Sequence, residues 1–217
     1  VPVLLVLLAC TKEERQLKNA SIHFEAAQQS ITEKNINQAL EEIEKAIEIY
    51  PPFVEAHIQR QWLRSKRVDT EIILRDYENL LRQNRKLPEF HFLYGRLLDD
   101  PDKQKTEYER ALELDPNFGW GYFGMGWIEY RKKRYEQGKE KFERAVSVDP
   151  ENPRFLNNLG GTCFFLGQYD EAIENLNKAR DFDTQYPRPY ANLATVYLQR
   201  TEFDSAIRML EHYLTLA

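Results

Sequence analysis

His23, His57, His91, Tyr122, Leu156 and Tyr190 follow one another at intervals of 34, 34, 31, 34 and 34 residues. Four positions further on, the same register holds a small residue in five of six units, at Ala27, Gly95, Gly126, Gly160 and Ala194, with Gln61 the exception. Once three residues are removed from the turn of the third unit, a further column reads Ile43, Tyr77, Tyr108, Phe142, Leu176 and Leu210. Three positions on stand Ala46, Leu80, Ala111, Ala145, Ala179 and Tyr213. A period of this length marks stacked copies of one supersecondary unit, because no copy can bury its apolar face alone. Prolines mark the joints: Pro51, Pro116 and Pro150 close units, and Pro88, Pro153 and Pro187 open others.

Each unit reads as a pair of helices. Residues 156–166 carry apolar side chains at helical spacing, Gly167-Gln168-Tyr169-Asp170 make a turn, and 171–182 form a second amphipathic run. Small residues at Gly160 and Ala172 let the two helices approach, while Leu159, Tyr169 and Leu176 fill the gaps. Proline at the start of a helix loses no needed hydrogen bond.

The strings Y-F-G-M-G-W-I-E-Y, A-I-E-N-L-N-K-A and R-A-L-E-L-D-P resemble the consensus of the tetratricopeptide repeat, and the resemblance covers 20–217. It implies an all-α fold, a right-handed α-solenoid of about six stacked helical hairpins, with a concave groove that binds other proteins and no cofactor. The units are 20–53, 54–87, 88–118, 119–152, 153–186 and 187–217. Unit two departs most, since Gln61 and Arg64 replace the usual small and aromatic residues, and a distorted hairpin is expected there. Unit three is three residues short at Asp99-Asp100-Pro101-Asp102, which predicts a tight acidic turn and a shortened helix. Unit six stops before its closing loop, so a continuation of the chain is expected.

Gly119, Gly121 and Gly124 spell G-x-G-x-x-G, the string of a dinucleotide-binding loop. Such a loop needs a strand before it and a helix opening at the third glycine. Here the preceding residues belong to a helix, and the glycines fall inside the next one. Glycines in a helix interior cost on the order of 1 kcal/mol each relative to alanine, so they need another reason. By the resemblance, the column of Gly124 faces the groove. Two readings stand: an aromatic-walled pocket beside Trp120, Phe123 and Trp127, or ordinary packing against neighbouring helices.

Asn158 and Asn192 are one repeat apart, as are Arg154 and Arg188, which sets two rows on the groove side. An Asn amide both donates and accepts, so it can pair with the backbone of an extended peptide whatever its sequence. The same amides could instead bond between helices. The arginines could donate to carboxylates. Of the five-residue carboxylate clamp in chaperone-binding family members, only Asn158 and Arg188 are matched; Phe123 and Trp127 stand at its Lys and Asn places, which disfavours an acidic chaperone tail. The expected partner groove is Trp120, Phe123, Gly124, Trp127, Tyr130, Arg154, Asn158, Arg188 and Asn192.

No catalytic constellation is present, and neither a metal nor a cofactor is expected. His23, His57 and His91 share one column a whole repeat apart, so they do not converge on a metal, and no nucleophile or phosphate-loop motif occurs. Cys163 reads as a small buried hydrophobe. The basic run Arg131-Lys132-Lys133-Arg134 falls at a turn, where solvated charge is the default. A net charge of −5 argues against a general nucleic-acid binder.

The first nine residues, V-P-V-L-L-V-L-L-A, are apolar and lead into Cys10. Leu7-Leu8-Ala9-Cys10 resembles the bacterial lipobox, in which the peptide is cut after a small residue and the Cys is lipidated. The alternative is a hydrophobic capping segment of the fold. On the first reading 1–9 are part of a signal peptide, 10–19 a linker, and the protein a lipid-anchored scaffold of the bacterial envelope. Thr11 after the Cys leans toward the outer membrane, facing the periplasm. The overall plan resembles tetratricopeptide lipoproteins of envelope assembly, with a partner's helical or extended segment in the groove. The rival is a regulatory subunit that activates an envelope enzyme such as a peptidoglycan synthase or hydrolase.

Overall fold

A computed structural model describes residues 11–216. Among the described residues are twelve helices and no strand, in six consecutive pairs. The pairs are α1 (Lys12–Thr32) with α2 (Ile36–Ile49), α3 (Val54–Ser65) with α4 (Thr70–Gln83), and α5 (Pro88–Gly95) with α6 (Pro101–Leu114). They continue with α7 (Gly119–Arg131) and α8 (Tyr135–Val148), α9 (Pro153–Phe165) and α10 (Tyr169–Phe182), and α11 (Pro187–Gln199) and α12 (Phe203–Leu216). The fold is thus all-α and built of tetratricopeptide-type hairpins. Cys10 and the apolar residues before it lie outside the described residues.

One boundary needs correction. The stretch expected as a linker is helical from Lys12 onward. Thr11 accepts from the Glu14 amide, and the Glu14 carboxylate accepts from the Thr11 amide at 2.6 Å, a closed capping box that starts the helix early.

The chain forms two compact units, one up to Leu93 and the other from Tyr94. In the first, Ala20, Ala27, Ala39, Ile43, Ala46 and Leu63 make a closely packed core. The second hairpin is looser, as expected, and α3 approaches α4 less closely than α1 approaches α2. The reason is Gln61, buried at the place of a small residue, whose Nε2 donates to the Leu93 carbonyl at 3.0 Å. Polar links join α3 and α4 instead: Arg64 to Asp76 at 2.7 Å, and the His57 ring to the Tyr77 hydroxyl at 3.0 Å.

In the second unit α6 to α12 pack in chain order, each against the next, and α9 also touches α11. The small-residue column does what its spacing predicts. A Cβ on Gly126 would lie 2.7 Å from the Phe142 ring, and one on Gly160 would lie 2.7 Å from Leu176. The third hairpin has its short helix, with eight residues in α5. Asp100 caps α6 by accepting from the amides of Asp102 and Lys103, and Pro101 takes the first helical position.

The turns between paired helices repeat as well. Lys133, Gly167 and Thr201, one repeat apart, all take left-handed backbone, with φ of 57°, 74° and 61°. In each turn this residue and the next donate their amides back into the ending helix, as Gly167 does to the Phe164 carbonyl and Gln168 to that of Cys163. The basic run is therefore an exposed helix-ending turn. Arg131 bonds Gln104, and Arg134 pairs with Glu129 at 3.4 Å.

Candidate functional site

Since first helices of neighbouring hairpins lie side by side, residues one repeat apart line up across α7, α9 and α11. Here the second unit has a cleft of about 310 Å³. One wall is aromatic, with Trp127 and Tyr130 from α7 and Phe164 and Phe165 from the end of α9. The α11 side is polar, with Arg188, Asn192 and Thr195, and Asn157 and Asn158 stand on the earlier turns of α9. Gly161 lies along α9 between these asparagines and the two phenylalanines, and Leu176 and Val196 contribute buried apolar surface.

The aromatic wall holds itself in place. Trp127 meets Tyr130 edge-on at 5.3 Å, and Tyr130 meets Phe165 at 5.6 Å. Phe165 is 50% exposed, yet its ring is stacked on Tyr135 at 4.9 Å with 12° between planes. Partial burial pushes the Tyr130 hydroxyl above its ordinary pKa, with Tyr135 adding to the shift, so it stays a neutral donor and acceptor.

The asparagines are partly committed. Asn192 donates to the buried Asn157 at 2.9 Å, a bond between helices, and Asn158 donates to the Arg154 carbonyl of its own helix at 2.7 Å. Each amide keeps hydrogen-bonding capacity on the cleft side. Arg188 is exposed, and no lining residue of the cleft is acidic.

Five residues expected in the groove therefore meet in one place: Trp127, Tyr130, Asn158, Arg188 and Asn192. Four do not line it. Trp120 is buried, with its ring edge-on to Phe155 at 4.8 Å. Phe123 is wedged among Trp120, Trp127, Phe142 and Phe155. Arg154 places its guanidinium over the Tyr186 ring at 5.4 Å. Gly124 opens no groove floor: a Cβ there would lie 2.7 Å from the Tyr108 ring, which also fills the space at Gly95. Of the two readings of that glycine, packing holds.

Asn157, Gly161, Phe164, Phe165 and Thr195 were not expected in the cleft. A signal existed for Gly161, since the neighbouring Gly160 alone satisfies the close-packing column. For Phe164 and Phe165 there was none, because what makes them cleft residues is the approach of Tyr130 and Tyr135 from the preceding hairpin.

The remaining candidates are occupied structurally. The G-x-G-x-x-G string lies in α7, where Gly119 makes room for Phe155 and Gly121 for Leu112. His23 pairs with Glu42 at 2.6 Å, His91 bonds the Arg85 carbonyl at 3.1 Å, and His212 stacks on Tyr190 at 5.5 Å. Burial pushes the Cys163 thiol up to about 12, which leaves no thiolate at neutral pH. A wider hollow of about 430 Å³ over α8 is edged by Glu140, Lys141, Glu143 and Arg144 beside Tyr122, the solvated charge of an outer helix face. Among the described residues no helix is long and apolar enough to cross a membrane.

Comparison with known proteins agrees with this architecture. Two family models, each described as tetratricopeptide repeat, match residues 153–217 in one case and 93–118 and 121–152 in the other. Together they take in more than half of the chain. No curated protein matches the sequence. Among solved structures, the chain is similar to a tetratricopeptide repeat protein from Parabacteroides merdae, at TM-score 0.62 and 17% identity, covering 92% of this chain and 79% of that one. A thermophilic TPR protein of Thermus thermophilus is similar at TM-score 0.60 and 14% identity, over 82% of this chain and 99% of that one. YrrB, described as a TPR protein with an unusual peptide-binding site, is similar at TM-score 0.51 and 18% identity, over 80% and 91% of the two chains. With the repeat register, the helix pairs and these matches in agreement, the chain belongs to the tetratricopeptide repeat family.

Proposed function

We propose that the protein is a non-catalytic interaction scaffold of the bacterial envelope, held at a membrane by a lipid on Cys10 and binding a partner segment in the cleft between α7, α9 and α11. The observation that carries the binding part is the pairing of an aromatic wall, Trp127 and Tyr130, with a polar wall, Asn158, Arg188 and Asn192, around about 310 Å³ of space. Binding sites combine apolar walls with a few placed polar groups in this way. YrrB, a protein of similar fold, is described as having a peptide-binding site. The envelope part rests on Leu7-Leu8-Ala9-Cys10. Stable anchoring needs two or more acyl chains, which a lipidated N-terminal Cys would carry.

A photo-crosslinking amino acid at Thr195, inside the cleft, is expected to trap a discrete partner adduct in cells, and one at Ser147, on the outer face, is not. Trp127→Ala with Asn158→Ala should cut the Thr195 adduct about tenfold or more, the usual scale for losing an aromatic anchor and its polar neighbour. Equal adducts at both positions, or no effect of the double variant, would remove the cleft from the function. Cys10→Ser in the full-length protein should move it from the membrane pellet to the supernatant; unchanged pelleting would remove the lipid anchor.

A further inference from the structure

Gly161 is set apart among the glycines of this chain. At Gly95, Gly119, Gly121, Gly124, Gly126 and Gly160 an added Cβ would come within 3.0 Å of a neighbouring side chain, so packing requires glycine there. Gly167 has left-handed backbone, and Gly138 faces the backbone of α7 at 3.5 Å. At Gly161 the single neighbour within 4 Å is the Asn192 amide nitrogen, at 3.8 Å. An interior helical glycine costs about 1 kcal/mol relative to alanine, and here no packing contact offsets it. What its bare backbone does is keep the cleft floor open between the aromatic wall and Asn192.

From this we infer that the cleft reads an extended partner segment in which a large apolar side chain and a carboxylate stand on the same side of the chain, two or four residues apart. The inference rests on the cleft being the partner site, and it names what that partner must carry. The apolar side chain descends over Gly161 against Trp127, Phe164 and Phe165. Asn158 and Asn192 take the segment's backbone amides, which sets its line along the cleft without reading its sequence. In the repeat register Gly161 stands level with Thr195, so Arg188, seven residues before Thr195, lies about 10.5 Å along the axis from the apolar pocket. Alternate residues of an extended chain point to the same side at steps of about 6.6 Å, so with the reach of the Arg188 side chain the acid falls two or four residues from the apolar residue. Charge complementarity fixes the sign: Arg188 is exposed, and the cleft offers it no carboxylate. A terminal carboxylate is not needed, which agrees with the incomplete clamp.

The test uses the full chain labelled with ¹⁵N and four end-blocked nonapeptides in a Ser/Gly background. These carry Phe or Ala at the fourth position and Glu or Lys at both the sixth and the eighth. Shifts of the Gly161 amide and the Asn192 side-chain amide report binding at the cleft. The Phe/Glu peptide should bind about tenfold tighter than the Ala/Glu peptide, the scale of burying an aromatic side chain. It should bind about threefold to fivefold tighter than the Phe/Lys peptide, the scale of a part-exposed ion pair. Gly161→Leu should abolish the preference for Phe while leaving the melting temperature unchanged or higher, since the site is open. Arg188→Glu should reverse the order of the Glu and Lys peptides. Equal binding of all four peptides, no shift with any of them, or an unaltered order in Arg188→Glu overturns the inference. The Thr195 cross-link separates the two readings. If it persists while the peptide rule fails, the cleft still binds a partner of other chemistry; if both fail, the cleft reading goes too.

Discussion

Phe142→Ala is expected to lower the unfolding free energy by about 3–5 kcal/mol, the upper range for truncating a buried aromatic. The ring is fully buried and meets Phe123 at 5.7 Å. Across the hairpin it sits against Gly126, which has no side chain with which to refill a hole, so collapse is limited and a cavity remains. Gly126→Ala alone gains about 1 kcal/mol of helix propensity but places a Cβ 2.7 Å from the ring, an overpacking expected to cost about 1–3 kcal/mol. In the double variant the new methyl occupies part of the space that the ring left. The two changes should therefore cost less together than their sum, by about 0.5–3 kcal/mol as for residues in contact. Urea denaturation with an unchanged m-value reads all three variants. A loss below about 1 kcal/mol for Phe142→Ala would mean that the repeat interface is not where stability resides.

Acid should weaken the first unit through His57. The imidazole is buried, its Nε2 lies 2.7 Å from the Pro51 carbonyl, and its Nδ1 lies 3.0 Å from the Tyr77 hydroxyl. Both nitrogens are thus satisfied in the neutral ring, Nε2 donating and Nδ1 accepting. Burial drives the pKa down from 6.5 to about 4, opposed in part by the bond to the Pro51 carbonyl and aided by the nearby Arg60 charge. Between these values the unfolded chain binds a proton that the folded protein does not. Stability is therefore lost as pH falls from 6.5 toward 4, by up to about 1.4 kcal/mol per pH unit and about 3 kcal/mol in total. His57→Phe removes the titration. It also leaves the Pro51 carbonyl without its donor, so the variant should be the weaker protein at neutral pH. The gap between wild type and variant should narrow by about 3 kcal/mol over that interval, measured by denaturation at four or five pH values. Parallel curves would show that His57 carries its proton equally in both states.

The repeat register was readable in the residues because it is set by small-to-large matching at fixed separation. Gly126 with Phe142 and Gly160 with Leu176 are pairs within one hairpin, 16 residues apart, so local geometry alone brings them together. The distortion at Gln61 and the short third helix were legible for the same reason: a wrong size at a known place has one local consequence. The early start of α1 was also written in the chain, in Thr11 and Glu14, but the repeat count pointed elsewhere.

The amino-acid sequence by itself determined the hairpins and their order, and it put Asn158, Asn192 and Arg188 within reach of one cleft, though not Arg154. The tertiary structure alone decided which aromatic and which glycine face the cleft. Trp120 and Trp127, seven residues apart, share nearly one face of α7, yet Phe155 covers the first and the second stays on the cleft wall. Gly124 and Gly161 carry the same cost in a helix, yet one is filled by a Tyr108 ring from the preceding helix and the other is empty above its backbone. The physical reason is that periodicity fixes where a side chain starts, whereas the neighbours that arrive from other hairpins fix how much space is left beside it.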